Sequence, residues 1–100
     1  MTELRIALRA EVQIRRISAR WRELRPGAPL LFASEVADAL ELLATTPTLG
    51  VVYAQRRGRT IRRLLLPRSR HHIYFTYDET ADVLEVRAVW HAQRERGPSL

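Results

Sequence analysis

The spacing of apolar residues changes near Thr46, and this change restricts the possible folds more than any other feature of the chain. Before that point, apolar side chains recur every three or four residues, which is the period of an amphipathic helix. One such series is Ala10, Ile14, Ile17, Trp21 and Leu24, and the next is Phe32, Val36, Leu40 and Leu43. The short link Arg25–Pro29 separates them with two prolines and a glycine. The pattern therefore predicts an antiparallel helix hairpin.

After Leu49 the pattern is typical of strands. Short turns separate three apolar or alternating runs, at Ile61–Leu66, His71–Asp78 and Val83–Trp90, and strands linked in this way form an antiparallel meander. A further short strand is predicted at Leu4–Leu8. The predicted fold class is α+β, with a short N-terminal strand, a helix hairpin covering one sheet face, and a three-stranded antiparallel meander.

The length and the absence of cysteine restrict the class of protein. One hundred residues suffice for one domain, 1–100, and are too few for two. The chain has no cysteine, which excludes disulfides, Cys-ligated zinc and thiol catalysis. No apolar run is long enough to span a membrane, and charged residues stand where a signal peptide would be apolar. We expect a soluble cytoplasmic protein without a cofactor.

The positive charge is concentrated in one segment. All 17 basic residues are arginine, and the net charge is +6. Residues 56–70 contain seven arginines and no acidic residue, whereas the rest of the chain has ten arginines against eleven acidic residues. The seven are Arg56, Arg57, Arg59, Arg62, Arg63, Arg68 and Arg70. A local basic patch of this kind indicates an acidic partner, which could be DNA, RNA or an acidic protein segment.

Two long segments resemble the RelE/ParE superfamily of small bacterial toxins. The first is "RISARWRELRPGAPLLFASEVADALELLATTPTLG", which is similar to the helix hairpin of ParE-like members. The second is "IRRLLLPRSRHHIYFTYDETADVLEVRAVWHAQR", which is similar to the closing meander, with a histidine and a nearby arginine after the last strand. Together they cover most of the chain in the family's order.

The resemblance implies the toxin half of a type II toxin–antitoxin pair. Such toxins are neutralised by an antitoxin tail that folds on binding, and they either inhibit DNA gyrase (ParE-like) or cut mRNA on the ribosome (RelE-like). RelE-type nucleases tend to use lysines and a C-terminal tyrosine. This chain has no lysine, and its last tyrosine, Tyr77, is predicted to face the core. The chain is therefore closer to ParE-like members.

If Glu79–Asp82 forms a four-residue loop, Asp78 pairs with Val83 in the last two strands. The residue numbers of every further pair then also add up to 161. This register places Ile73, Phe75 and Trp90 on the core face. It places Tyr74 opposite Arg87 on the other face, with His72 opposite Val89 and diagonal to His91. All three histidines are then expected at one end of the hairpin, beside Arg68 and Arg70.

This second face is where we expect the catalytic residues if the protein is an endonuclease. The histidines would transfer protons, the arginine would hold the phosphate, and the tyrosine would stack on a base or orient the phosphate. The candidate catalytic residues are His91, His72, Arg87 and Tyr74. Arg62 or Arg63 would assist, and the Pro67–Arg70 turn leaves open which of them faces the site. The adjacent His71 and His72 point to opposite faces, so no metal site is expected.

Three functions remain open from the sequence. The first is a gyrase-binding toxin, whose target contacts would come from the arginines of 56–70 together with Arg94 and Arg96. The second is a ribosome-dependent mRNA endonuclease, and the third is an inactive relative that only binds the antitoxin. In each case we expect an antitoxin with an acidic tail as partner, in a homodimer or a heterotetramer with the antitoxin.

Overall fold

The chain folds into two helices and one five-stranded sheet, and the computed structural model describes residues 1–94 and 96–100. The elements are β1 (Glu3–Ile6), α1 (Leu8–Leu24), α2 (Leu31–Thr45), β2 (Val51–Arg56), β3 (Arg59–Leu66), β4 (His71–Asp78) and β5 (Val83–His91). The strand order is β1-β5-β4-β3-β2, with β1 parallel to β5 and the other neighbours antiparallel. The predicted α+β class is confirmed. The structure adds β2, which precedes the three predicted strands of the meander.

The helix hairpin forms because the link between the helices cannot continue α1. Pro26 and Gly27 follow the C-cap residue Arg25, whose backbone N–H donates to the carbonyl of Trp21 at 2.8 Å. The Trp21 indole N–H also donates to the carbonyl of Ala28 at 2.9 Å, which ties the link to α1. Neither helix of the described chain is long and apolar enough to cross a membrane.

The two faces of the sheet are both apolar at their centres. The helices cover one face, called here the helix face, and Phe32 and Leu43 of α2 are fully buried against it. Burying one such side chain stabilises the fold by about 1.5–3 kcal/mol. The opposite face, called here the open face, carries a second cluster. The open-face cluster consists of Ile61, Tyr74 and Ala88, with Tyr53, Trp90 and Leu100 packed against them.

The predicted register of β4 and β5 is correct in one half of the hairpin and wrong in the other. From Asp78–Val83 to Phe75–Val86 the partner numbers sum to 161 as predicted. A bulge then adds one residue to β5, so that Tyr74 pairs with Ala88 rather than with Arg87. The predicted register assumed that pairing continues without a bulge along the whole hairpin, so it did not include the extra residue.

The bulge reverses the predicted faces of the last two residues of β5. His72 pairs with Trp90, and His71 pairs with His91. Trp90 therefore lies in the open-face cluster and not in the main core. His91 lies on the helix face, with its ring centroid 5.0 Å from that of His71. One inserted residue exchanges the environments of both side chains, because side chains alternate along a strand.

Candidate functional site: an arginine-lined groove

The structure does not bring the four predicted catalytic residues together. His72 and Tyr74 lie on the open face with ring centroids 5.9 Å apart, whereas His91 lies on the helix face. Tyr74 is only 2% exposed, so its ring is not accessible for stacking on a base. Arg87 occupies the bulge, and its Nε lies 3.5 Å from a carboxylate oxygen of Glu85. The sheet thus separates His91 from His72 and Tyr74, whereas the predicted endonuclease site needs these side chains next to one another.

Five of the seven arginines of 56–70 are divided between the two ends of β3, and Arg62 and Arg63 lie within the strand. Arg56, Arg57 and Arg59 lie at the β2–β3 turn, and Arg68 and Arg70 lie at the β3–β4 turn. Since β3 has eight residues, these ends are about 23 Å apart. The sequence patch is therefore two separate basic regions.

Arg62 and Arg63 lie on opposite faces of β3, which decides the orientation that the sequence left open. Arg63 pairs with Tyr74 and extends over the Tyr53 ring, 5.2 Å from its centroid, on the open face. Arg62 pairs with Phe75, whose side chain belongs to the core under the helices. Arg63 therefore neighbours His72, while Arg62 points to the helix face.

An arginine-lined groove of about 980 Å³ lies between α1 and the His71–His91 end of the sheet. We call it the arginine groove. Six arginines line it: Arg16, Arg20, Arg25, Arg68, Arg70 and Arg94. None of the described residues that line it is Asp or Glu, and the apolar side chains of Ile17, Trp21, Leu24 and Leu31 also line it. A groove with guanidinium groups beside apolar side chains can bind a segment that is both acidic and apolar.

Sequence reasoning missed the contribution of α1 to this groove. In the sequence, Arg16 and Arg20 lie outside the apolar stripe of the first helix and Arg25 lies in the link between the helices, while the notable basic segment is 56–70. The helical spacing of Arg16 and Arg20 places them on one side of α1. Only the packing of α1 beside the β3–β4 turn brings that side next to Arg68 and Arg70.

His71 is buried in the wall of the groove with one defined tautomer. Its Nδ1 lies 3.0 Å from the carbonyl oxygen of Ser69, and a carbonyl can only accept, so Nδ1–H donates. The neutral ring therefore has its lone pair on Nε2. Burial lowers the pKa of His71, and the nearby charges of His91 and Arg94 lower it further, against opposing effects of the Ser69 hydrogen bond and Glu35.

His91 adopts the other tautomer. Its Nδ1 accepts the backbone N–H of Gln93 at 3.1 Å, so the proton of the neutral ring is on Nε2. The two rings meet edge to face. The pair thus offers one imidazole nitrogen that can accept a proton, Nε2 of His71, and one N–H that can donate a hydrogen bond, Nε2–H of His91. Sequence reasoning had chosen His72 as the partner of His91, because it did not include the bulge.

Glu35 holds the turn that carries the basic side of the groove. Its carboxylate accepts the backbone N–H groups of Arg68 at 2.7 Å and Ser69 at 2.9 Å. Ser69 in turn fixes the His71 ring, and Arg70 has a left-handed backbone with φ of 63°. Glu35 lies outside the apolar series of α2, and it is nevertheless half-buried against the turn. Glu35 therefore positions His71, Arg68 and Arg70 relative to the helices.

His72 is isolated from this groove on the open face. Partial burial lowers its pKa, and the positive charges of Arg63 and Arg70 lower it further. Within residues 1–94 and 96–100, no group of three His, Asp or Glu side chains could hold a metal ion.

The fold resembles that of a bacterial toxin. The structure matches the crystal structure of the isolated E. coli RelE toxin with a TM-score of 0.65 and 16% sequence identity, covering 95% of this chain and 88% of that chain. At this identity the likeness shows the shared fold. No curated protein sequence matches the chain.

The sequence identifies the family. Residues 4–96 match the family described as ParE toxin of type II toxin–antitoxin system, parDE. The chain therefore belongs to the ParE toxin family of the RelE/ParE superfamily, and the predicted resemblance is confirmed. Membership implies an antitoxin as partner.

Proposed function

We propose that the protein inhibits bacterial growth in the cytoplasm by binding DNA gyrase, and that an antitoxin neutralises it. The family match over residues 4–96 supports this proposal. So does the separation of the predicted catalytic residues, because His91 and His72 lie on opposite faces of the sheet. The arginines at the β2–β3 turn are exposed, and Arg56, Arg57 and Arg59 are the candidate contacts with the target.

The arginine groove supports the second half of the proposal, which is capture of the antitoxin. Its six guanidinium groups suit carboxylates, and the apolar side chains of α1 suit one side of a helix. An acidic segment that is disordered when free would fold as it covers the groove. The groove is the single observation that carries this assignment.

A supercoiling assay tests the choice of target. Purified toxin should inhibit supercoiling by gyrase, and replacing Arg56, Arg57 and Arg59 by glutamine should weaken inhibition by on the order of tenfold or more. The matched control replaces Arg15, Arg20 and Arg22, which are exposed on α1, and removes the same charge. Growth arrest with normal supercoiling and blocked translation would contradict the proposal, and no growth arrest at all would indicate an inactive relative.

The His71–His91 pair favours one alternative, an endonuclease centred on the arginine groove. The lone pair on His71 Nε2 offers a general base, and the nearby Arg68, Arg70 and Arg94 offer phosphate contacts at the same place. This alternative predicts that His91→Gln abolishes mRNA cleavage and toxicity. His72→Gln is the control, because His72 lies on the other face. Full toxicity of His91→Gln would exclude the alternative.

A further inference from the structure

Residues 96–100 cross the open face of the sheet and cover its apolar cluster. We call this segment the strap. Leu100 packs against the cluster formed by Ile61, Tyr74 and Ala88, and Pro98 is buried. The carbonyl of Ser99 accepts a hydrogen bond from the guanidinium of Arg9 in the first turn of α1. The strap is therefore held at its far end by a polar contact and along its length by apolar packing.

The near end of the strap is fitted closely to two aromatic side chains. The Trp90 indole N–H donates to the carbonyl of Arg96 at 2.7 Å. Gly97 lies against Tyr53, and a Cβ atom at this position would overlap the Tyr53 hydroxyl oxygen. A Cβ here requires either the strap or the Tyr53 side chain to move, and the Tyr53 ring is packed against Tyr74, with ring centroids 4.8 Å apart. A single added methyl group at Gly97 should therefore displace the strap without altering the sheet beneath it.

Arg94 connects the strap to the arginine groove, whose lining also includes Trp90. Its guanidinium lies over the Trp90 ring, 4.6 Å from the centroid, and Trp90 in turn holds the strap. Arg94 also lines the arginine groove. An acidic ligand in the groove competes with the Trp90 ring for this guanidinium, because a carboxylate attracts it more strongly than an aromatic face does.

We propose that the strap is a conformational latch whose closure on the open face opposes acidic ligands in the arginine groove, with Arg94 shared between the two states. When the latch is closed, Arg94 stacks on Trp90 and the open-face cluster is covered. When an acidic segment in the groove pairs with Arg94, the guanidinium leaves the Trp90 ring, the Trp90–strap contact weakens, and Tyr53 and Trp90 become more exposed. The latch itself does not depend on the target of the toxin, whereas its coupling to ligands rests on the proposed acid-binding role of the groove.

Hydrogen exchange of the two indole N–H groups, followed by NMR on the full chain, tests the latch. Gly97→Ala should accelerate exchange at Trp90 by roughly tenfold or more, because the hydrogen bond to Arg96 is lost. Trp21 donates to Ala28, away from the strap, and its exchange should not change, which shows that the fold is intact. Gly27→Ala is the matched control, since no atom lies within 4 Å of a Cβ there. Equal exchange at Trp90 in the wild type and Gly97→Ala would overturn the latch.

Binding of an octaglutamate peptide tests the coupling. Opening the strap frees Arg94, so Gly97→Ala should bind the peptide more tightly than the wild type, on the order of fivefold. In the Arg94→Ala background, Gly97→Ala should change the affinity no further. Equal affinities of wild type and Gly97→Ala would overturn the coupling. Absence of peptide binding to either protein would overturn both the acid-binding role of the groove and the coupling, while Trp90 exchange still decides the latch.

Discussion

Glu35 is the residue that joins the helix hairpin to the basic turn of the sheet. Its two carboxylate oxygens each accept one backbone N–H, from Arg68 and Ser69. These groups lie in the partly buried turn, so replacing the carboxylate leaves both donors dependent on water. A single acidic side chain thereby decides where two groove arginines and His71 lie.

Replacing Glu35 by alanine should lower the free energy of unfolding by about 1.5–3 kcal/mol, because hydrogen bonds to a charged acceptor are lost. Urea denaturation at neutral pH measures this change. Asp38→Ala is the control, since Asp38 is exposed on the same helix. Equal effects of the two substitutions would show that the carboxylate does not hold the turn.

The free energy of unfolding should decrease as the pH falls from about 6.5 towards 5, because folding lowers the pKa of His71 below its ordinary value of 6.5. Between the two pKa values the unfolded chain binds the additional proton, so the stabilisation is complete above pH 6.5 and is lost on acidification. His72 has a lowered pKa as well and contributes in the same direction.

The His71→Gln variant should therefore show a shallower decrease than the wild type in urea denaturation measured across this pH range. His91→Gln tests whether the neighbouring ring contributes to the lowered pKa. An unchanged slope in His71→Gln would mean that His71 does not contribute to the pH dependence.

At the scale of the secondary-structure elements, the bulge in β5 decides which side chains face the groove. Val86 and Ala88 pair with Phe75 and Tyr74, which are neighbours on β4, so Arg87 is the additional residue. On both sides of Arg87, side chains of β5 point alternately to the helix face and the open face, as in a regular strand. The bulge therefore adds a residue without being required for the pairing around it.

Deleting Arg87 should consequently preserve the pairs on both sides and cost only about 1 kcal/mol of the free energy of unfolding. Deleting Val89 instead would move Trp90 to the helix face and His91 to the open face, and should cost more than about 4 kcal/mol. Thermal or urea denaturation compares the two proteins. A deletion of Arg87 as harmful as that of Val89 would show that the bulge itself stabilises the hairpin.

At the scale of the whole molecule, the net charge of +6 is divided between separate regions rather than concentrated in one patch. The arginine groove collects residues from α1, the β3–β4 turn and the segment after β5. The β2–β3 turn carries Arg56, Arg57 and Arg59 at the other end of the sheet. The location of a charge should therefore matter more for the antitoxin than the total charge.

Two triple variants with the same net charge test this expectation. Replacing Arg16, Arg20 and Arg68 by glutamine should weaken antitoxin binding on the order of ten- to a hundredfold, whereas replacing Arg56, Arg57 and Arg59 should have little effect on it. Calorimetry at several salt concentrations measures both affinities, and the salt dependence should decrease only in the groove variant. Equal weakening would mean that overall charge, not the groove, attracts the antitoxin.

The apolar periodicity was sufficient to predict both helices, four of the five strands and the α+β class. It also predicted the half of the β4–β5 register nearest the turn, because a short loop restricts which residues can pair. It did not predict the bulge, which places one additional residue in β5 and leaves the local composition ordinary. The error reversed the faces of Trp90 and His91 and so produced an incorrect set of neighbouring histidines.

The sequence by itself determined the family, the order of both helices and of every strand except β2, and the basic character of this protein. These properties depend on local periodicity and composition, which can be determined from the sequence directly. Only the tertiary structure decided that Arg16 and Arg20 join Arg68 and Arg70, that His71 rather than His72 meets His91, and that residues 96–100 cover the open face. Each of these depends on contacts between residues distant in the chain, and such contacts follow from packing and strand register rather than from local sequence.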